Sequence, residues 1–461
     1  MAEILLDPLP IAILMGVVGA ITFTLIGIVS GTDETATLAP LTLVVILLGV
    51  EPIGIFTFFL AGCISKHMTH AIPTMLLGIP GDTMAVPILE DAAQMRALGI
   101  PHIALRKAIS AAAISATIAV PASVLFALLL SPFGEAVQSI APWLFLAAAL
   151  GISYYSPARW AGIVALVPFV ALVLGLKAWT DTLKVELSIS YFLGIAIGPM
   201  VADLVLALSP QQRKNMRRQS PSRVFLAPDT DKSRSYFPNP FKVLDRRQQG
   251  AVAATSIVSS ATFVFSPVAM TVLMGELVGA RIKNAYQRLT TVISAKNGTT
   301  ESTYIAEALI PLIAFGLPLS PVAAGPAAPL FNAPPVFVTD PDAGRIDNLS
   351  TAMTTPQFLV FGLMSVALAL IIAYPFAMRY AYPAAKWVIT KVSHEAIIAA
   401  FTGLIVVVSV WEGGLPALVV VLTVGLVGGL LVKMVKVHAG VLFMGYYVAV
   451  LTVPAVLGMA S

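Results

Sequence analysis

Charge is scarce in this sequence: 11% of its 461 residues are Asp, Glu, Lys or Arg, where a soluble domain carries about 25%. A chain so poor in charge cannot cover a water-facing surface, which excludes an ordinary soluble domain. Cysteine is scarcer still. Cys63 stands alone, so neither an internal disulfide framework nor a cysteine-rich metal site can be built within one chain. No Walker motif, nucleophile elbow or zinc signature occurs. Their absence argues against ATP-driven transport by this chain alone, and no catalytic constellation converges that would favour an enzyme over a transporter. The first residues, Met1 to Asp7, lack the basic run of a cleaved leader, so residues 9–30 are read as a retained first helix.

What the sequence does have is apolar length. Residues of the AVILMFWYC set make up 58% of it, and the mean hydropathy is +0.91. Runs long enough for spanning helices recur throughout. The expected fold is an all-α polytopic membrane protein with about 12 transmembrane segments. The candidate spans are 9–30, 40–65, 71–90, 102–131, 136–157, 160–178, 189–207, 250–280, 304–333, 356–378, 394–411, 416–433 and 438–458, some of them broken. Residues 210–250 hold ten Lys/Arg, including Arg213, Lys214, Arg217 and Arg218, against three Asp. Between membrane spans such a stretch reads as a cytoplasmic loop able to touch anionic lipid, not as a nucleic-acid site. The chain therefore divides into an N-terminal transmembrane repeat (1–208), a basic cytoplasmic loop (209–249) and a C-terminal transmembrane repeat (250–461).

One pattern occurs twice. Ile72-Pro73-x4-Gly78-Ile79-Pro80 and Ile310-Pro311-x4-Gly316-Leu317-Pro318 lie 238 residues apart, about half the chain. Proline removes a backbone donor and clashes with the preceding turn, so each copy breaks a helix. In hydrocarbon, freed backbone groups are tolerated only where they line a protein-buried or watery cavity. Matched breaks in two halves point to the substrate site of a transporter, near the midplane. Counting basic clusters from the 210–250 loop sends the first copy from outside to inside and the second from inside to outside. The repeats are then inverted, although residues 281–303 are too polar to mirror span 40–65.

A chain restarting after Pro80-Gly81 presents N–H groups and a positive dipole end to an anion. Gly81 allows close approach, and Thr83 adds a hydroxyl. The substrate residues expected are Gly78, Pro80, Gly81 and Thr83 in the first half, and Gly316, Pro318, Leu319 and Ser320 in the second. Gly81 is expected to line a cavity. Asp33, Asp82 and Glu301 are the candidates for holding a coupling cation, Na+ or H+. Asp82 serves equally as a helix cap, and Asp33 and Glu34, with Thr32 and Thr35, equally form an aqueous loop. Glu307 flanks the second break. Lys66, His67 and His70 form the cationic group beside the first, with Lys66 read as snorkelling to the interface and the histidines as groups that titrate near neutrality. The histidines lack partners at metal-ligand spacing, so neither a metal nor any cofactor beyond the coupling ion is assigned.

The stretch Leu76–Gly99, with its Gly-Ile-Pro-Gly break and Met95-Arg96, resembles the signature of the large membrane subunit of tripartite tricarboxylate transporters, the TctA family. Ala308–Pro318 is similar to that family's second broken segment, and the resemblance runs over about residues 10–440. Glu90 and Asp91 align with the family's acidic position. Several family residues are replaced: Ser30–Thr35, Ser266–Val268, Asn297–Ser302 and Pro318-Leu319 stand where it has its proline-glycine, proline-glutamate and paired-asparagine elements. The resemblance implies a secondary active transporter in the cell membrane that takes an anionic solute, a carboxylate first, on a Na+ or H+ gradient. It also implies as partners a small membrane subunit and an extracytoplasmic solute-binding protein. The alternative is a transporter or flippase of a phosphate-bearing lipid carrier such as polyprenyl phosphate.

The topology is directly testable. Cysteines placed at Ser220 and Ser233 are expected to resist membrane-impermeant thiol reagents in intact cells and to react after permeabilisation; rapid labelling in intact cells reverses the orientation.

Overall fold

The computed structural model describes residues 7–30, 32, 34–155, 158–185, 187, 189–206, 210, 237–333, 336–340, 345–392, 394–437 and 439–457. Asp33 and most of the basic stretch lie outside these. Apart from a two-stranded hairpin, Val338–Asp340 against Arg345–Asp347, the described chain is helical. Six of its helices are long and apolar enough to cross a membrane.

The first half opens with α1 (Leu9–Gly27), α2 (Glu34–Leu47) and α3 (Pro52–Ile72). α3 continues through a wider turn, Pro73–Leu77, to Gly78. A short amphipathic helix, α4 (Leu89–Ala97), leads into α5 (Pro101–Leu130), and α6 (Ala141–Tyr155), α7 (Trp160–Thr182) and α8 (Ile189–Leu206) complete this half. The second half comprises α9 (Arg246–Ala261), α10 (Pro267–Gly279), α11 (Ala285–Phe315), α12 (Thr355–Lys391), α13 (His394–Leu430) and α14 (Ala439–Tyr447). α13 kinks at Gly413-Gly414, where the backbone leaves the helical region.

Three expected spans are redrawn. Span 40–65 is interrupted by a turn at Gly49, whose positive φ of 75° ends α2, and Pro52 starts α3 afresh. Residues 71–90 do not form a span; they are the helix end, the break and the connection to α4. Span 250–280 is two helices, because the chain turns at 262–266 before Ser266 caps α10.

The polar stretch 281–303 turns out to be most of α11. At 31 residues this helix is about 46 Å long, and every residue from Leu289 to Leu312 is buried. A lipid-facing helix could not carry so many hydroxyls, but a helix enclosed by others can, provided each finds a partner. Ser115 of α5 bonds Ser256 of α9 at 2.8 Å and donates to the Gly298 carbonyl. Ser259 meets Ser302 at 2.6 Å, Thr271 meets Thr300 at 2.8 Å, and Asn297 donates to the Ala108 carbonyl at 2.8 Å. α5, α9 and α10 thus hold α11 by its polar face.

Two apolar cores follow. One joins α1, α3, α5, α11 and α12; the other joins α6, α7, α8, α13 and α14. α1 and α3 pack backbone to backbone. A side chain at Gly19 would collide with the Phe58 carbonyl, and one at Gly27 would lie 2.7 Å from the Lys66 carbonyl oxygen. Gly19→Val should therefore cost about 1–3 kcal/mol through overpacking and visibly lower the thermal midpoint of the purified protein. Gly175→Val, at a position with open space around it, is the control expected to leave the midpoint in place.

Candidate functional site

Both copies of the repeated pattern are helix breaks of one local design. α3 ends at Gly78 and α11 at Gly316, with φ of 73° and 66°, the left-handed region that glycine adopts without strain. Four residues beyond each glycine an extended residue caps the next turn: Asp82 accepts from the Ala85 N–H at 3.0 Å, and Ser320 accepts from the Ala323 N–H at 3.1 Å. The carbonyls freed at the helix ends are also covered. Arg96 donates to the Thr74 carbonyl at 3.0 Å, a cation at a C-terminal dipole end, and Asn348 donates to the Gly316 carbonyl at 2.7 Å. Sequence reasoning passed over Asn348, which lies 32 residues from its acceptor.

The surroundings of the two breaks differ. Around the second, Glu307 accepts from the Val322 N–H at 3.1 Å, and its carbonyl accepts from the Ser320 hydroxyl at 2.7 Å. Gly316, Pro318 and Ser320 are buried and Leu319 is half-buried. Pro318 lines a small cavity with Leu317, Phe331, Asn332, Tyr446 and Tyr447. A second small cavity, between α2, α8 and the 328–329 turn, shares Asn332 with it. The first break is more open: Gly78 and Pro80 are half-buried and Thr83 is exposed.

Gly81 does not line a cavity. It packs on α3, where a Cβ would stand 2.6 Å from the His70 carbonyl oxygen. Its N–H is used as well, donated to the Thr74 hydroxyl at 3.1 Å, while that hydroxyl donates to the His70 carbonyl at 2.8 Å. Substituting Gly81 would report on packing, not on a ligand.

Behind the first break lies a chain of buried ionisable groups. Lys66 is fully buried, so its expected snorkelling is corrected. Its ammonium donates to Glu34 Oε1 at 2.9 Å and to Asp82 Oδ2 at 3.2 Å. His70 Nδ1 meets the same Asp82 oxygen at 2.7 Å. On the other side His67 Nε2 lies 3.8 Å from Glu34 Oε1, and His67 Nδ1 lies 3.4 Å from Glu301 Oε2. The His67 ring stands edge-on to Tyr304, with centroids 4.4 Å apart. Asp82 is therefore both a cap and an ion-pair partner. Of the three coupling candidates, Asp82 and Glu301 enter this one network, Asp33 lies outside the described residues, and Glu34 takes the place expected of its neighbour. Glu34, His70 and Asp82 each offer an oxygen or nitrogen within 4.8 Å of the others, a cluster with metal-ligand character. The Lys66 ammonium already lies against its two carboxylates.

A second ion pair ties the halves together. Lys296 of α11 donates to Asp91 of α4 at 2.6 Å and to the Pro87 carbonyl at 3.0 Å. The segment after the first break is thereby fastened to the helix that carries the second.

Comparison with known families bears on this architecture. Residues 13–442 match the model described as the tripartite tricarboxylate transporter TctA family. The chain belongs to the TctA family. It is a multi-pass membrane transporter and not an enzyme. No curated protein and no solved structure gave a match to the chain. Within this TctA chain both proline-glycine breaks fall inside the matched residues, as does the whole charged network.

Removing one member of a buried ion pair strands the other charges and costs about 3–5 kcal/mol. Lys66→Met should accordingly lower the thermal midpoint strongly, and adding Glu34→Gln with Asp82→Asn should recover much of the loss. A Lys66→Met protein as stable as the wild type would show that the ammonium is not balancing those carboxylates.

Proposed function

We propose that this chain is a secondary active transporter of a small anionic solute, a carboxylate, driven by a cation gradient. It works as the large permease subunit of a tripartite system, with a small membrane subunit and an extracytoplasmic solute-binding protein as partners. The observation that carries the reading is the pairing of two breaks of the same design with one buried charged network at the first of them. Gly78, Pro80 and Thr83 form one face of the substrate site, with Gly81 packed behind it on α3, and Gly316, Pro318, Leu319 and Ser320 form the other. Of these, Thr83 has the most exposed side chain and Pro318 borders a cavity. Gly78, Gly81, Gly316 and Ser320 shape and cap the breaks.

The two halves, 1–208 and 250–461, act as repeats of opposite topology about the basic stretch 209–249. Support comes from the shared glycine-to-cap spacing and from the charge bias of the connecting segments. About a dozen crossings accommodate the remaining apolar helices, including α2 and α10, which are shorter than a full span. Family membership speaks for a solute of the carboxylate class over a phosphate-bearing lipid carrier.

The test is uptake of citrate, as a representative tricarboxylate, by cells expressing the chain with the products of its neighbouring genes. Uptake should collapse when an ionophore dissipates the driving gradient; uptake that survives both proton and sodium ionophores contradicts secondary transport. Thr83→Val removes a neutral hydroxyl from a charged ligand, a loss of about 1.5–3 kcal/mol. It should raise KM for citrate by about tenfold or more at constant thermal stability, whereas an unchanged KM takes Thr83 out of the site.

A further inference from the structure

We propose that Glu301 and His67 form the proton-binding pair of this transporter, and that Lys66 is a built-in cation occupying the position a sodium ion would need. The proposal rests on the transport reading above and names its coupling ion.

Glu301 lies in the middle of α11 with no exposed surface. Neither of its carboxylate oxygens accepts a hydrogen bond from any described residue. A carboxylate so placed is costly to keep ionised, and a bound proton removes that cost. The ionisable groups near it on α3 are His67, 3.4 Å away, and Cys63, whose sulfur lies 3.9 Å from His67 Nδ1. From α5, α9 and α10 the contacts on the neighbouring turns of α11 are hydroxyls: Ser115 at Gly298, Ser259 at Ser302, and Thr271 at Thr300. On α11 itself, Lys296 is engaged with Asp91 and Glu307 with Val322. His67 is thus the base that faces Glu301.

The imidazole also faces Glu34 with its other nitrogen. Six ionisable groups then run in alternation: Glu301, His67, Glu34, Lys66, Asp82, His70. The Glu301 carboxyl gives its proton to His67 Nδ1, and His67 gives the proton on Nε2 to Glu34. The Glu301 O–H and His67 Nε2–H bonds break, the His67 Nδ1–H and Glu34 O–H bonds form, and the ring ends in its other tautomer. Both gaps, 3.4 and 3.8 Å, exceed hydrogen-bond length. Rotation of the ring closes one at a time, so the two carboxylates are never joined directly. A proton arriving on Glu34 weakens its hold on Lys66 and leaves the ammonium to Asp82. Asp82 caps the segment after the first break, so protonation reaches that break through a single side chain.

Sodium has no comparable place in this cluster. The ligand atoms of Glu34, His70 and Asp82 that lie within 4.8 Å of one another are the natural cation cradle. The Lys66 ammonium sits 2.9 and 3.2 Å from its two carboxylates. An entering ion would have to displace a tethered one.

The experiment is infrared pH-difference spectroscopy on the purified full chain in lipid vesicles, with thermal midpoints in sodium against choline chloride. The wild type should show a protonated-carboxyl C=O band that titrates. Glu301→Gln should lose that band and Glu301→Asp should keep it at a shifted frequency, and sodium should leave the midpoint unchanged. A band that persists unaltered in both variants overturns the pair. So does a saturable stabilisation by sodium that Asp82→Asn abolishes. Should Glu301→Gln fail to fold, the Glu301→Asp shift decides alone. Citrate uptake separates the two levels. Uptake driven by a sodium gradient and indifferent to the proton gradient overturns the pair while sparing the transport reading. No uptake, with the infrared result as expected, contradicts transport and leaves the proton-binding pair standing.

Discussion

Everything at the first break depends on one buried ammonium. Lys66 is enclosed on all sides, and a charge in that position persists only where opposite charges repay its lost hydration. Glu34 supplies one from the start of α2 and Asp82 the other from beyond the break. Three segments that are not neighbours in sequence are thereby held at one point. Asp82 spends its second oxygen on the Ala85 N–H, so the electrostatics of the core and the geometry of the break are a single arrangement. The close approach of α1 to α3 at Gly27 encloses the same turn of α3, since that glycine lies against the Lys66 backbone.

α11 supplies the other half of the constraint. It is too polar to face lipid, and its hydroxyl contacts with α5, α9 and α10 make it a central helix instead. Burying it brings Glu301 against His67 and sets the second break at Gly316. Lys296 then reaches back to Asp91, so the second half grips the connection that follows the first break. A rearrangement at either break must pass through these few polar contacts, because the apolar packing around them has no directional preference.

The sequence made some of this legible and hid the rest. Glycine and proline at fixed spacing announced both breaks, because few other residues end a helix in the left-handed region. Lys66 and Asp82 were visible as ionisable residues beside apolar runs, and Glu301 as an acidic residue upstream of the second break. Their pairing was not, since Glu34 and Asp82 lie 32 and 16 residues from Lys66 and no local period connects them. Hydropathy misread 281–303 because it records transfer to lipid, whereas α11 is transferred into protein. It also ran through Gly49 and through 262–266, where single turns interrupt otherwise apolar runs. Gly81 was read as open space because sequence cannot tell a glycine that admits a ligand from one that admits a neighbouring helix.

Hydrogen exchange at the first break tests the central claim most directly. The Gly81 and Ala85 amides donate to Thr74 and Asp82, and Lys66 fixes Asp82, the acceptor of the second and the chain neighbour of the first. In Lys66→Met protein, peptides covering 79–88 should exchange at least about tenfold faster than in the wild type, a loss of roughly 1.4 kcal/mol or more of local protection. Peptides from α14 should exchange at the wild-type rate. Equal rates at 79–88 in the two proteins would mean that the break holds its shape without the buried ammonium, contrary to this account.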